Sequence, residues 1–362
     1  MSVSEQTPLS RGETLRLEQR AKLSGFLGLS LKNGLLNILT LTLYRFWGKT
    51  EVRRRIWSST YLNGEPFEYT GRGKDLFFGF LIALAVLGLP YLVIVFAVQM
   101  AGPMIAGLVI LPLYVFLIFL VGFGLFTAFR YMASRTVWRG VRFRLRGSPS
   151  DYGLRLLVYS VLAGVTLGWF APAMRRKMAK HLWRNLSFGD QDFRFDEDAA
   201  RKVNVYGPFA LAWGSGLLFY LVFFAVAFGA AASAQARGGE PPDEVLVGIG
   251  AMVMLALPIL VVLMAPYQAA ILRSIVAGIV FQEARFRLRL TWPAMFGMTV
   301  SNLILIIVSL GFLTPFVQAR AAKFLIDRID SEGAVDLSRV RQTEVGPKTA
   351  EGLADAFGIA PI

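Results

Sequence analysis

Apolar and polar positions are segregated along this chain at two scales. At the coarse scale, residues 76–129, 203–236 and 245–272 contain no charged side chain, and a helix needs about 20 apolar residues to cross roughly 30 Å of hydrocarbon. The first run is broken by Gln99-Met100-Ala101-Gly102-Pro103, which predicts two helices and a tight turn, a transmembrane hairpin over 76–129. The other two runs flank Arg237-Gly238-Gly239-Glu240-Pro241-Pro242-Asp243-Glu244 and predict a second hairpin within 203–272. Pro90, Pro112, Pro258 and Pro266 lie inside these runs and predict kinks whose freed carbonyls are satisfied by neighbours. Three further apolar segments, 25–44, 152–173 and 294–316, are long enough to cross but have basic residues close on both sides.

At the fine scale, Arg142-Phe143-Arg144-Leu145-Arg146 alternates charge and apolarity at period two, the pattern of a half-buried strand. The same five letters return at Arg285-Phe286-Arg287-Leu288-Arg289, 143 residues later, and Thr166-Leu167-Gly168 returns at the same offset as Ser309-Leu310-Gly311, with Pro172 falling on Pro315. A more diverged copy places Arg16 and Arg20 at the outer arginine positions and Thr40-Leu41-Thr42 after them. Phe67-Glu68-Tyr69, Phe193-Arg194-Phe195 and the weaker Asp336-Leu337-Ser338 stand 27 residues past each Thr or Ser. A three-fold internal repeat follows. Each unit reads as short strand, apolar segment, basic helix and second short strand, with Asn63-Gly64 and Gly189-Asp190 as turn signals before the second strand.

Charge decides how the three repeated segments are expected to meet the membrane. If all seven apolar segments crossed, alternate sides would receive 16 and 20 basic residues, no bias at all. If only the two hairpins cross, 37 of the 38 basic residues share one side and Arg237 alone is opposite, as cytoplasmic retention of Lys and Arg requires. Lys32, in the middle of the first repeated segment, also suits an interface better than a bilayer centre. The expected fold class is therefore an all-α polytopic membrane protein with short β-strands at the membrane surface. The expected organisation is an N-terminal segment 1–13 read as disordered, repeat unit 14–75, hairpin 76–129, repeat unit 130–202, hairpin 203–272, repeat unit 273–342 and a loose tail 343–362. The first 23 residues are polar and hold no signal-peptide core.

Composition fits this class: 55% of residues are hydrophobic and 17% charged, against roughly 45–50% and about 25% in soluble chains. It also narrows the chemistry. The absence of cysteine removes disulfides, thiol catalysis and Cys-ligated metals, and the single His181 leaves almost nothing for a His-ligated site. No Asp or Glu lies inside the apolar runs of either hairpin, so the paired carboxylates of an intramembrane hydrolase are missing. His181 reads as a surface residue of a basic helix, and Gly71-Arg72-Gly73-Lys74 lacks phosphate-loop spacing and reads as the turn entering the membrane. No catalytic residue, cofactor or metal site is expected.

The run Asn37-Ile38-Leu39-Thr40-Leu41-Thr42-Leu43-Tyr44-Arg45-Phe46-Trp47-Gly48-Lys49, then Arg53-Arg54-Arg55, then Asn63-Gly64-Glu65-Pro66-Phe67-Glu68-Tyr69-Thr70-Gly71, resembles the YjgN family of bacterial inner-membrane proteins. Thr42 stands where that family usually has Gly, which Gly168 and Gly311 restore in the later copies. The resemblance covers about residues 14–340. It implies a multi-pass inner-membrane location and carries over no biochemistry.

Two functional classes remain. Repeated units with broken embedded segments suit a transporter or channel for a small solute, the first expectation. Its candidate polar groups are Asn33, Asn37, Ser301 and Asn302, and Asn33 and Asn302 occupy the same repeat position. The bland alternative for these four is hydrogen bonding between helices. The second class is binding of anionic lipid headgroups, or of an anionic partner, by a basic cluster at the membrane surface. Its candidates are Arg53, Arg54, Arg55, Arg175, Arg176, Lys177, Lys180, Arg320 and Lys323. Their bland alternative is that they snorkel and fix topology. Nucleic acid is not an expected partner, and oligomeric state is not legible in the residues.

Overall fold

A computed structural model describes residues 13–100, 103–239 and 242–342. The readings of the 1–13 segment as disordered and of 343–362 as a loose tail lie outside the described residues, Glu13 apart. The chain begins with β1 (Leu17–Gln19), α1 (Ser24–Leu39), α2 (Arg45–Ser58), β2 (Thr60–Leu62), β3 (Glu65–Pro66) and β4 (Glu68–Tyr69). Then come α3 (Gly73–Ala83), α4 (Leu89–Met100) and α5 (Pro103–Ser134). The middle comprises β5 (Thr136–Trp138), β6 (Val141–Leu145), α6 (Pro149–Val165), α7 (Ala171–Asn185), β7 (Leu186–Phe188), β8 (Gln191–Phe195) and α8 (Glu197–Arg201). Last are α9 (Tyr206–Ala236), α10 (Asp243–Leu263), α11 (Ala265–Gly278), β9 (Ile279–Phe281), β10 (Ala284–Leu288), α12 (Trp292–Val308), α13 (Thr314–Ile326) and β11 (Ile329–Glu332).

Among the described residues, three helices are long and apolar enough to cross a membrane: Ala106–Ser134, Tyr206–Ala236 and Asp243–Gly278. Their most apolar windows are only 6%, 6% and 0% buried within the protein. A fourth helical path runs from α3 through the π turn Leu84–Gly88 into α4. Pro90 follows that π turn directly, one of the ways a helix absorbs a missing N–H. Pro112 and Pro258 are carried inside α5 and α10, whereas Pro266 opens α11 after the break at Met264.

The three other apolar segments are not single helices. Each is a helix, a five-residue turn and a returning helix: α1/α2, α6/α7 and α12/α13. The turns share one hydrogen-bond scheme. The N–H of Thr42, Gly168 and Gly311 reaches back to the carbonyl of Asn37, Ala163 and Ile306, and that of Leu41, Leu167 and Leu310 to Ile38, Gly164 and Ile307. This is the Schellman arrangement. It holds the leucines at φ of 48–49° and Thr42, Gly168 and Gly311 at 70°, 92° and 83°. The hydroxyls of Thr40, Thr166 and Ser309 donate back to the first helix and accept the N–H of Tyr44, Phe170 and Leu313 at 2.9, 3.0 and 3.1 Å. One hydroxyl thus ends one helix and starts the next.

The strands flanking each helix pair are direct neighbours. β1 pairs with β2, β6 with β7 and β10 with β11, all antiparallel. The chain therefore leaves and re-enters the sheet at the same place. Two-residue turns join β2 to β3 at Asn63-Gly64, with φ of 49° and 83°, and β5 to β6 at Arg139-Gly140, with φ of 49° and 75°. The strand order is β1-β2-β3 in one sheet and β4 through β11 in sequence in the other. β3 and β4 are separated only by Phe67, and Glu13 bridges Val335 beyond the far edge, so the sheets close into a ring. Its interior holds Trp138, Phe188, Phe281, Ala284 and Val335, with Phe67, Phe143, Phe193 and Phe286 packed against them. Phe143 and Leu145 point inward and the intervening arginines outward, as the alternation predicts. Asp336-Leu337-Ser338 differs from expectation: residues Leu337–Arg339 form a 3-10 turn capped by the Asp336 carboxylate, which accepts from the Ser338 N–H.

Candidate functional site

The basic residues singled out from sequence lie on the three returning helices α2, α7 and α13. On α2, Arg53 donates to the Tyr69 hydroxyl at 3.3 Å, Arg54 to the Gly71 carbonyl at 3.2 Å and Arg55 to the Gly25 carbonyl at 2.8 Å. Arg55 also lies 5.5 Å from the centre of the Phe26 ring. On α7, Arg175 stands over Tyr267, Arg176 over Tyr206 and Lys177 over Tyr159, at 5.2, 5.8 and 5.9 Å, and Lys180 is ion-paired with Glu197. On α13, Arg320 donates to Asn302 at 3.0 Å and Lys323 pairs with Asp327 at 3.0 Å. Among the described residues, only Lys180 and Lys323 of these nine carry a carboxylate partner. The other seven meet carbonyls, an amide, a hydroxyl or rings, which orient a cation without neutralising it.

The four residues proposed as intramembrane polar groups do not converge on a path. Asn33 and Asn302 each face the returning helix of their own pair: Asn33 donates to the Gly48 carbonyl at 3.5 Å and Asn302 accepts from Arg320. Ser301 donates to Gly297 in its own helix. The side-chain carbonyls of Asn33 and Asn37 are buried without a partner.

A small pocket of about 90 Å³ between α7 and α8 concentrates cations: it is lined by Arg176, Lys177, Lys180 and Arg201 together with Glu197 and Phe195. Four cations against one carboxylate leave it strongly positive. The Lys180 ammonium and the Arg201 guanidinium beside Glu197 hold its carboxyl below the usual range, the lysine bond being the larger cause. Arg201 and Glu197 escaped sequence reasoning because α8 is a five-residue helix lying outside the repeat motifs. His181 sits against Phe126 and Tyr152, its Nε2 3.6 Å from Asp151 of α6. Burial is the main influence lowering its pKa. The acidic neighbour comes from another helix, which sequence proximity could not reveal.

Four arginines on or next to the strands behave differently. Arg285 pairs with Asp196 at 2.7 Å, Arg287 with Glu332 at 3.0 Å, Arg289 with Asp330 and Arg146 with Asp192.

Comparison with known proteins gives one family and two curated relatives. A family described as "Bacterial protein of unknown function (DUF898)" matches residues 14–356. The Inner membrane protein YjgN of Escherichia coli O157:H7 is 26% identical over 46% of this chain and 49% of its own length. Its counterpart in Escherichia coli strain K12 is 24% identical over 46% and 48%. The chain spans about half the length of these relatives. No solved structure matches. With the match running through nearly all of the chain, the protein belongs to the DUF898 family of bacterial proteins of unknown function.

Proposed function

We propose that this is a non-enzymatic, multi-pass inner-membrane protein that binds anionic lipid headgroups through the returning helices of three repeated hairpins dipped into one leaflet. The observation carrying this reading is the shape of the hairpins. Their most exposed apolar points cluster at their tips: Leu41 and Leu310 are 85% and 87% exposed, and Val165 and Leu167 are 78% and 76%. A tip in hydrocarbon puts the cations of the returning helix at a definite height. From the starts of α2, α7 and α13, the residues Arg53, Arg175–Lys180 and Arg320–Lys323 lie roughly 6–15 Å along the axis at 1.5 Å per residue, and half the hydrocarbon thickness is about 15 Å. With the tips seated short of the bilayer centre, these cations reach the headgroup zone directly or by snorkelling, and each contributes about 1 kcal/mol near an anionic surface.

The direct pairing of the strands flanking each hairpin supports re-entry rather than crossing. Four spans, with the strand ring on the cytoplasmic side, fit the distribution of charge. Transport of a small solute, the first expectation from the residues alone, needs a lined route. The near-bare spans favour lipid contact over such a route within one chain.

The test is retention of phosphatidylglycerol and cardiolipin by the purified protein in native mass spectrometry. Changing Arg53, Arg54, Arg175, Arg176, Arg320 and Lys323 together to Gln is expected to remove bound anionic lipid. Unchanged retention would reject the reading. Anion or solute flux in proteoliposomes above that of empty vesicles would restore transport to first place.

A further inference from the structure

The ring of strands is hollow. A cavity of about 280 Å³ lies inside it, and all fifteen residues lining it are aliphatic or aromatic, among them Phe143, Phe188, Phe193, Phe281 and Phe286. A second cavity of about 360 Å³ adjoins it, lined by Trp57, Phe129, Met132, Ala133 and Ala179 among others. Phe143, Trp183 and Leu186 belong to both linings, so the two lobes meet at these three side chains. Protein interiors are close-packed, with few voids larger than a water molecule, and a void lined only by such side chains stays dry and takes up apolar molecules.

The two ends of this space differ. One end is crossed by residues 335–342. Val335 bridges Glu13, and the Gln282 side-chain amide clamps Asp336, donating to its carbonyl and accepting its N–H. The Arg341 N–H donates to the Asp190 carboxylate at 3.1 Å, while Leu337 and Val340 pack onto the ring interior. The other end leads to Phe129, Met132 and Ala133, which are the last turns of the membrane-crossing helix Ala106–Ser134. The apolar lining is thus continuous with a surface that faces lipid.

We propose that the two lobes form one chamber that holds a single acyl chain of a phospholipid from the surrounding bilayer. Two adjoining lobes, each close to the lower end of the ligand-pocket range of roughly 300–1,000 Å³, suit a flexible unbranched chain. The absence of polar lining in the inner lobe leaves the headgroup outside. The inference goes beyond the headgroup reading and does not use its residues.

The experiment reconstitutes the full chain into vesicles of phosphatidylglycerol carrying a diazirine at the end of one acyl chain, followed by irradiation and peptide mapping. Labels are expected on residues 143, 183, 186, 188, 193 and 281. Ala179→Phe, which fills the outer lobe, is expected to reduce those labels at least tenfold while leaving labels on 206–236 unchanged. Labels confined to the lipid-facing spans would overturn the proposal, and the wild-type map decides this even if the variant fails to fold. Labelling by diazirine palmitic acid but not by the phospholipid would overturn the stated source. A disulfide formed between cysteines placed at Phe357 and Phe193 would also overturn it, because the chain's own tail would then fill the chamber. The six-residue Gln variant separates the two readings: it is expected to lose headgroup retention and keep the chamber labels.

Discussion

Arginine occupies two settings in this protein that look equally basic in the sequence. On or beside the strand ring, Arg287 and Arg289 stand opposite carboxylates on the neighbouring strand β11, Arg146 reaches Asp192 two strands away on β8, and Arg285 meets Asp196 at the start of α8. On the returning helices, Arg53, Arg54, Arg55, Arg175, Arg176 and Arg320 are held by carbonyls, rings, a hydroxyl and an amide. The first set is internally compensated and extends the ladder with cross-strand pairs. The second has no carboxylate opposite it among the described residues. Counting cations therefore overstates the positive surface of the ring and understates the distinctness of the helices.

The largest expected effect tests whether both sets lie on one side of the membrane. The chain has no cysteine, so single cysteines at Arg142, Arg285 and Ser59 are expected to react with a membrane-impermeant thiol reagent from one face, and a cysteine at Arg237 only from the other. Reaction of Arg142→Cys and Arg285→Cys from opposite faces would break the comparison at its root, because β6 and β10 of one sheet would then lie on different sides of the membrane. The next effect concerns what holds the ring together. Phe188 is 3% exposed and stacks at 4.7 Å from Phe143. Phe188→Ala is expected to cost about 3–5 kcal/mol of stability, read as a lower unfolding temperature in detergent. Arg287→Gln on the ring's outer face is expected to cost under about 1 kcal/mol, since exposed pairs contribute little, and to leave lipid retention intact.

The hairpin turns give an intermediate effect. Thr42 holds a positive φ of 70° where Gly168 and Gly311 hold the equivalent places, and a residue with a Cβ pays roughly 1–2 kcal/mol in that region. Thr42→Gly is expected to raise stability by about 1 kcal/mol, and Gly311→Thr to lower it by about the same. A Cβ at Gly311 meets only Thr314 Oγ1, at 4.0 Å, so that cost comes from the backbone alone. Equal unfolding temperatures for wild type and both variants would reject this account.

Much of this was legible from the residues, and the part that was not has identifiable causes. Arg-Phe-Arg-Leu-Arg announced a strand because its period is two, and Asn63-Gly64 announced the turn between β2 and β3. The returning turns stayed hidden because Leu41-Thr42-Leu43 and Leu310-Gly311-Phe312 are as apolar as the helices around them. Hydropathy cannot separate a helix that crosses from one that doubles back. The short strands Thr60–Leu62, Leu186–Phe188 and Ile279–Phe281 follow helices directly, and three residues are too few for alternation to register. The basic cluster was legible in residue type, but its partners were not, since Tyr267 reaches Arg175 and Asp196 reaches Arg285 from about 90 positions away.

The smallest effect distinguishes a compensated arginine from an available one by its pH dependence. Asp196 caps α8, accepting the N–H of Ala199 at 3.0 Å and of Asp198 at 3.1 Å, and pairs with Arg285. The Ala199 N–H, followed by Arg285, holds its carboxyl below the ordinary aspartate range. Because the folded pKa lies below the unfolded value of about 3.9, this stabilisation is complete above that value and is lost as pH falls through the folded one. Asp196→Asn keeps an acceptor for the cap and removes the charge, so it is expected to flatten the acid limb of the unfolding temperature against pH while changing little at neutral pH. Arg285→Gln is expected to flatten it less, in keeping with its second place among the causes. Gln at Arg175, which faces Tyr267 rather than a carboxylate, is expected to leave the acid limb unchanged and to act on lipid retention alone.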